Sequence, residues 1–403
     1  MTTDILVLGG GFAGIAAVDE LWRSQKQGNN LRVRLVDRQP HNVFAPILPD
    51  LISRRVSPEN ACYGLHAHCG ARGAEFLQAT VRSIDPSACT VDTDRGQLRA
   101  DVLVVGLGCE TNYFGNESVK SACPGLKTVE ETRQIRQRAL EVWDEAERSG
   151  KRGHLLVVGG GYTGFETASH LAYLLHRVTG QSYRNLGRTC RIMILELADE
   201  VLRNCSPEVR DWAVGVIGEF GVEVQTGCTV EAFPRQDQAR LSDGRRLENA
   251  MGVWTAGVVP GEAAASLGTP RTVGGRLQVD TCLRVEGYDR VFAAGDVAGA
   301  CPPNVESVLR MGVQFSIAGG KHAARNALLA ADGKAPIPFA PFDPGYILPL
   351  APGKASGVIL GVEMSGGFPY FMHMSLCVAR SWDMRNRWGV FKDFVAGTGP
   401  PVA

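Results

Sequence analysis

The stretch "DILVLGGGFAGIAA", residues 4–17, is echoed by "HLLVVGGGYTGFETA", residues 154–168. Each opens on a short apolar run rich in β-formers, turns on glycines, and continues with helical spacing. Each is followed by a second apolar run that ends in a carboxylate: "VRLVD" closes at Asp37 and "RIMILE" at Glu196. That is the layout of a βαβ unit with G-x-G-x-x-G at its first turn. The echo continues downstream. "VLVVGLG" ends at Gly108 and "MGVWTAG" at Gly257, and the hairpin-like stretches "CTVDTDRGQLRAD" and "ARLSDGRRLENA" precede them. One such glycine pattern is weak evidence, but two at matched offsets exclude most other fold classes.

The fold class read from this is α/β. It comprises two Rossmann-like dinucleotide-binding domains, the second inserted in the first, plus a C-terminal helical segment. The first domain covers 1–112 and resumes over 288–341. The second covers 113–287, and 342–403 follows neither pattern.

The glycine turns assign a pyrophosphate to each unit, because backbone N–H groups at a helix start attract an anion. Gly9, Gly11 and Gly14 take one nucleotide, and Gly159, Gly161 and Gly164 take another. Asp37 is placed to accept the hydroxyls of an adenosine ribose. Glu196 holds the same place in the second unit and would repel a 2′-phosphate, which favours NADH over NADPH. Arg203 nearby leaves the other nucleotide open. "VFAAGDVAG" would bring Gly295 and Asp296 from a strand over 291–294 to the middle of a bound cofactor. The competing reading of Asp296 is a helix cap.

Composition narrows the class further. Forty-two basic residues balance 42 acidic ones, so nothing asks for nucleic acid. Eleven cysteines without a C-x-x-C pair fit neither a disulfide framework nor a zinc site, so a reducing cytoplasm and no metal are expected. "CYGLHAHC", residues 62–69, reads as an ordinary exposed loop or helix. His154, His170, His176 and His322 show no partner spacing. Cys123 and Cys301 read as inert thiols. No signal peptide and no run of 18 apolar residues is read.

"LVDRQPHNVFAPIL", "LGCETNYFGNESV", "VWTAGV" and "VFAAGDVAG" together resemble the two-dinucleotide-binding flavoproteins, and among them most the type II NADH:quinone oxidoreductases. The resemblance implies non-covalent FAD in the first domain, NADH in the second, hydride transfer to the flavin, and reduction of a quinone. It implies Pro46, Gly108 and Val305 on the cofactor side and Gly257 beside the nicotinamide nucleotide. It also implies peripheral attachment to the inner face of the cell membrane through the C-terminal segment, and it is compatible with a homodimer. Disulfide reductases, which share the fold, need a redox cysteine pair that "RQPHNVFAPILPDL" lacks.

Glu166 matches a family glutamate near the meeting point of nicotinamide and flavin. It also stands in a Thr163–Glu166 capping-box spacing. The segment "PPNVESVLRMG", residues 302–312, is read as a helix start, with Val305 and Glu306 donating backbone N–H groups to the flavin. Family glutamines there are replaced by Glu306 and Arg310, four residues apart. They form either a solvated i,i+4 pair or a more polar acceptor site. A soluble reductase with a polar or protein acceptor therefore stays open, as does a slow-turnover redox sensor. In the tail, Met374, Val378 and Trp382 fall on one helical stripe among Arg380, Arg385, Arg387 and Lys392. That pattern suits either a membrane surface or packing onto the protein. The closing "GTGPPVA" makes any anchor short.

Overall fold

The computed structural model describes residues 2–396 apart from 304, 306 and 352; the "GTGPPVA" stretch and Glu306 lie outside the described residues. In chain order the strands that matter are β1 (Thr3–Leu8), β2 (Leu31–Asp37), β3 (Glu75–Gln78), β4 (Val102–Val105), β5 (Gly153–Val158), β6 (Cys190–Leu195), β7 (Val222–Gln225), β8 (Ala250–Trp254), β9 (Val291–Ala293), β10 (Gly345–Leu350), β11 (Lys354–Ile359) and β12 (Val362–Gly366). The helices are α1 (Phe12–Lys26), α2 (Leu48–Ile52), α3 (Val129–Ser149), α4 (Tyr162–Thr179), α5 (Val313–Ala331), α6 (Gly367–Arg380) and α7 (Met384–Ala396).

Two compact units form. The first contains Met1–Asn42, Gly64–Glu110 and Val258–Asp343, and the second contains Val43–Tyr63, Thr111–Gly257 and Pro344–Ala403. Thus residues 258–287 cluster with the first unit, while 43–63 and the C-terminal segment cluster with the second.

In the first unit a parallel sheet runs β9-β4-β1-β2-β3. The central strands are buried on both faces, so they read as continuous apolar runs rather than alternating ones. Strand order reverses beside β1, the switch point where open α/β sheets bind ligands. Helix α5 packs on α1 at close range. A Cβ at Gly320 would stand 2.0 Å from the carbonyl oxygen of Ala13, so only glycine permits this approach.

In the second unit a parallel sheet runs β7-β6-β5-β8. This is the order β3-β2-β1-β4 repeated, so the sequence echo is an echo of topology. Both hairpin-like stretches are antiparallel ribbons, Thr90–Thr93 with Gly96–Arg99 and Gln238–Leu241 with Arg246–Glu248. Helix α3 covers this unit with an apolar stripe at Ile135, Ala139, Val142, Trp143 and Ala146. A capping box between Thr128 and Glu131 starts it, and left-handed Gly150 ends it.

The C-terminal segment folds as an antiparallel sheet, β10-β11-β12, followed by α6 and α7. The expected single stripe is corrected here. The chain turns at Ser381, so Met374 is buried on α6, Val378 is half-buried, and Trp382 lies between the helices, stacked on Tyr63. The second helix buries Asn386 and Val390 instead.

Candidate active site

Both glycine turns have the same geometry. Each follows a sheet strand, β1 or β5, and opens a helix, α1 or α4, that no side chain caps among the described residues. The helix start is thereby left to an anion. Gly9 and Gly159 take φ of +97° and +111°, left-handed values that favour glycine. A Cβ at Gly14 would stand 1.8 Å from the carbonyl oxygen of Gly9, and one at Gly164 would stand 1.9 Å from that of Gly159. Gly11 and Gly161 are the helix N-caps.

The two carboxylates are held alike. Asp37 accepts the Gly10 N–H at 2.6 Å and the Gln39 N–H at 2.7 Å. Glu196 accepts the Gly160 N–H at 2.7 Å and the Ala198 N–H at 2.9 Å. Each carboxylate is therefore pinned against its turn, with acceptor lone pairs left for ribose hydroxyls. Arg203 pairs with Asp199 at 2.6 Å, so the cation that left the nucleotide open already has a carboxylate.

The first unit gathers the remaining flavin-side residues, except Pro46, which lies half-buried in a turn of the second unit. Gly108 follows β4, and Gly295 follows β9 with a left-handed φ of +78°. Asp296 caps no helix, because it sits in a turn ahead of a short strand. Its carbonyl accepts from the buried guanidinium of Arg276 at 3.1 Å, and another Arg276 N–H reaches the Leu309 carbonyl at 2.7 Å. An open cleft is lined here by Gly295, Asp296, Arg276, Arg310 and Phe315.

The expectation for residues 302–312 is corrected. The helix begins at Val313, with extended Gly312 as its N-cap, so Val305 is not at a helix start. It is 41% exposed, and its N–H goes to the Pro302 carbonyl at 3.2 Å. Arg310 is not on a helical face either. It forms a two-pronged ion pair with Asp343 at 2.5 Å and stands 5.0 Å over the Phe315 ring. An i,i+4 pair is worth only about 0.3–0.5 kcal/mol. A bidentate guanidinium–carboxylate contact is stronger, and two prolines start the segment.

In the second unit the "TNYFG" and "WTAG" stretches meet. The Trp254 indole N–H donates to the Asn112 carbonyl at 2.7 Å, and Tyr113 stacks on Trp254 with centroids 5.9 Å apart. Gly257 accepts the Asn112 N–H at 3.0 Å, and a Cβ there would lie 3.5 Å from the Phe114 ring. The Thr163–Glu166 capping box does not form. Gly161 caps the helix, Thr163 is exposed, and Glu166 is half-buried beside Asp50.

What lies beside Glu166 escaped the sequence reading. His170, which showed no partner spacing, is buried one turn along α4. Its Nδ1 lies 2.8 Å from the Ser53 hydroxyl, and its Nε2 lies 3.8 Å from Asp50 Oδ1. Burial together with the nearby Asp50 charge holds the Glu166 carboxyl well above the usual carboxylate range. Burial pushes Asp50 up to about 6, against the opposing pull of Arg55. Burial, helped by Arg55 and His373, keeps His170 neutral, well below the ordinary histidine range. The available signal was a carboxylate inside the apolar run "ILPDLI" and a histidine four residues after Glu166.

The remaining thiols and imidazoles are quiet. Cys123 sits in the apolar core, where burial pushes it up to about 12. Cys301 is half-exposed, with its Sγ 2.8 Å from the Val305 carbonyl. Over 62–69 the chain makes a short strand and a short helix with His68 and Cys69 buried, which corrects the exposed reading.

Comparison with known proteins identifies the family. The pyridine nucleotide-disulphide oxidoreductase family model matches residues 3–325. A type II NADH:quinone oxidoreductase of Mycobacterium tuberculosis is 30% identical over 397 residues, covering 93% of this chain and 83% of that protein. One from Staphylococcus haemolyticus is 25% identical over 374 residues, covering 91% and 92%. Among solved structures, NDH2 from Plasmodium falciparum in complex with NADH superposes with a TM-score of 0.83 at 16% identity, covering 98% and 97%; this likeness speaks to fold alone.

Proposed function

The chain belongs to the pyridine nucleotide-disulphide oxidoreductase family, among the type II NADH:quinone oxidoreductases, and from that premise we propose how its residues divide the work of oxidising NADH and reducing a quinone. The observation that carries the division is the pair of glycine turns, each closed by a carboxylate pinned to its second glycine. FAD fits the first turn, where glycine at position 14 lets α1 pack against the Gly9 backbone and the α1 start is left open to a pyrophosphate. Bound there, FAD would supply the hydride acceptor for NADH and the two-electron carrier to the quinone.

Gly9, Gly11 and Gly14 bind the FAD pyrophosphate, Asp37 the ribose, and Gly295 and Asp296 the middle of the cofactor. Gly159, Gly161, Gly164 and Glu196 do the same for NADH, with Gly257 beside the nicotinamide nucleotide. Glu166 stands at the reacting end. Arg310 carries a counter-charge in Asp343, so it brings no bare cation to an acceptor site; Glu306 lies outside the described residues. Steady-state turnover with NADH and a short-chain quinone tests this assignment, and activity with hydrophilic dyes but no quinone would contradict it.

Glu196 sets the choice of nucleotide, since a 2′-phosphate would meet a carboxylate already fixed in place. Glu196→Ser raises kcat/KM for NADPH by about tenfold and lowers it for NADH by a similar factor, measured by steady-state kinetics with both nucleotides. An unchanged ratio would move the ribose pocket elsewhere.

No helix among the described residues is long and apolar enough to cross a membrane. The reading that fits is a cytoplasmic enzyme docked on the inner face of the cell membrane through α7. Met384, Trp388, Phe391 and Val395 share one helix face, with Trp388 60% and Val395 72% exposed. That face lies opposite buried Asn386 and Val390, and Arg385 and Lys392 run along one edge of it. Apolar side chains beside basic ones suit an anionic lipid surface. Each apolar side chain fully removed from water is worth roughly 1.5–3 kcal/mol. Replacing Trp388, Phe391 and Val395 by serine therefore abolishes co-sedimentation with anionic vesicles and leaves turnover of a soluble quinone unchanged. A homodimer through the same face is the competing reading; it would show as concentration-dependent mass without vesicles.

A further inference from the structure

Oxidation of NADH by a quinone consumes one proton from water. The hydride leaving the dihydronicotinamide carries two electrons and one proton, and the quinone needs two of each to become a quinol. Resting on the placement of Glu166 at the reacting end, we propose that Asp50, Ser53 and His170 form a buried proton-holding group that shares one proton with Glu166 and supplies it to the quinone oxygen. The bond broken is an O–H of the Glu166 carboxyl, and the bond formed is an O–H on the quinone. Glu166 is refilled from Asp50 and His170, which draw on solvent.

The geometry is that of a buried cluster, Asp50, Ser53 and His170, with half-buried Glu166 at its edge. Helix α2 packs on α4, so Asp50 from one faces Glu166 and His170 from the other. Asp50 is 6% exposed and His170 5%. Arg55 is the cation facing this pair, and it also hydrogen-bonds the Tyr370 hydroxyl from α6. From the same helix His373 faces His170, and its Nε2 lies 3.4 Å from the Cys377 thiol. Burial, followed by the Arg380 charge, keeps His373 down at about 4, so it adds no cation near neutrality. On the α3 side Arg136 faces Arg54, and on the β10 side the Tyr346 hydroxyl takes the Ser206 N–H.

Two neighbouring carboxyl groups, the Asp50 one buried and faced by the Arg55 guanidinium, cannot both ionise cheaply, so they hold a proton in common. His170 stays neutral through the change in Asp50 by switching tautomer. When Asp50 is ionised, the imidazole turns Nε2–H towards it and the Ser53 hydroxyl donates to Nδ1. When Asp50 is protonated, Nδ1–H donates to Ser53, whose own proton turns to the Asp50 carbonyl at 3.2 Å. Asp50 and His170 act through Glu166, so they are positioning residues.

The test uses the FAD-loaded enzyme in two anaerobic half-reactions. Asp50→Asn and His170→Gln leave bleaching by NADH unchanged. They slow reoxidation by a short-chain quinone about tenfold, and Asp50→Glu restores it. The wild-type reoxidation rate falls as pH rises past about 6, and this dependence flattens in Asp50→Asn. Infrared difference spectra between about pH 5 and about pH 8 show a buried carboxylic acid band in the wild type that Asp50→Asn removes. Unaltered reoxidation and an unaltered pH profile in both variants would overturn the proposal while leaving the enzyme's function intact. A wild type that NADH does not bleach or a quinone does not reoxidise would instead overturn the function. Should both variants fail to load flavin, the wild-type infrared titration decides alone, and no carboxyl titrating near pH 6 sinks the proposal.

Discussion

Gly14→Ala yields a protein that purifies without colour, and Gly164→Ala yields one that stays yellow but is no longer bleached by NADH. The added methyl would lie 1.8 Å from the Gly9 oxygen in the first case and 1.9 Å from the Gly159 oxygen in the second. Both obstacles are backbone, so no side chain can swing aside. Helix and strand must separate, at a cost of roughly 1–3 kcal/mol or more, and the N–H groups of the turn lose their aim. Loss of affinity follows for the nucleotide that each turn holds. For Gly164→Ala, kcat/KM with NADH falls about a hundredfold while flavin content stays near the wild-type value. Gly187→Ala is the control, since a Cβ there meets nothing within 4 Å. Absorbance spectra of the purified variants and NADH kinetics read all three. A Gly14→Ala protein with full flavin would show that the first turn does not hold FAD.

Deleting the chain from Phe368 onward unfolds the second unit rather than releasing an intact soluble enzyme. The two helices lost are structural. They bury Met374, Cys377 and Val390. Asp393 accepts the Ser57 N–H at 2.8 Å and the Asn60 side-chain N–H at 2.7 Å. The Asn386 amide donates to the carbonyls of Asn60 and Cys62 at 2.9 and 2.8 Å. The lost apolar burial costs roughly 1.5–3 kcal/mol per large side chain, and each orphaned buried polar group adds about 1–3 kcal/mol. Together these approach the whole stability of a domain, about 5–15 kcal/mol. Thermal melts followed by circular dichroism check this. The deletion shows no cooperative transition, whereas the triple serine variant on the exposed face of α7 melts like the wild type. A deletion that melts normally would make the segment a detachable anchor.

The contrast between those two variants shows what could be read from sequence and what could not. A glycine pattern works locally: strand, turn, helix and carboxylate follow one another in a single continuous stretch of chain, and the steric reasons for each glycine travel with the motif. Asp37 and Glu196 were legible because a carboxylate at the end of a second strand has one obvious neighbour. The tail showed its amphipathic composition, but composition cannot say which face meets the core. The break at Ser381 decides that, and it splits the stripe.

Residues 302–312 misled for a similar reason. Four-residue spacing suggests a helical pair, but the chain at Arg310 is not helical and its guanidinium meets Asp343, 33 residues downstream, while Glu306 lies outside the described residues. The polar cluster was least legible of all. Asp50, Glu166 with His170, and Tyr370 with His373 come from three segments far apart in the chain, so no window of sequence contains them. Its members also carry charge types that usually face solvent, and only packing reveals that they do not.

The account stands most directly on anaerobic rapid mixing of the purified protein with NADH and, separately, NADPH. It predicts flavin absorbance lost quickly with NADH, at least about tenfold more slowly with NADPH, and restored when a quinone is added. A preparation that binds FAD in full, binds NADH, and yet stays yellow would contradict it.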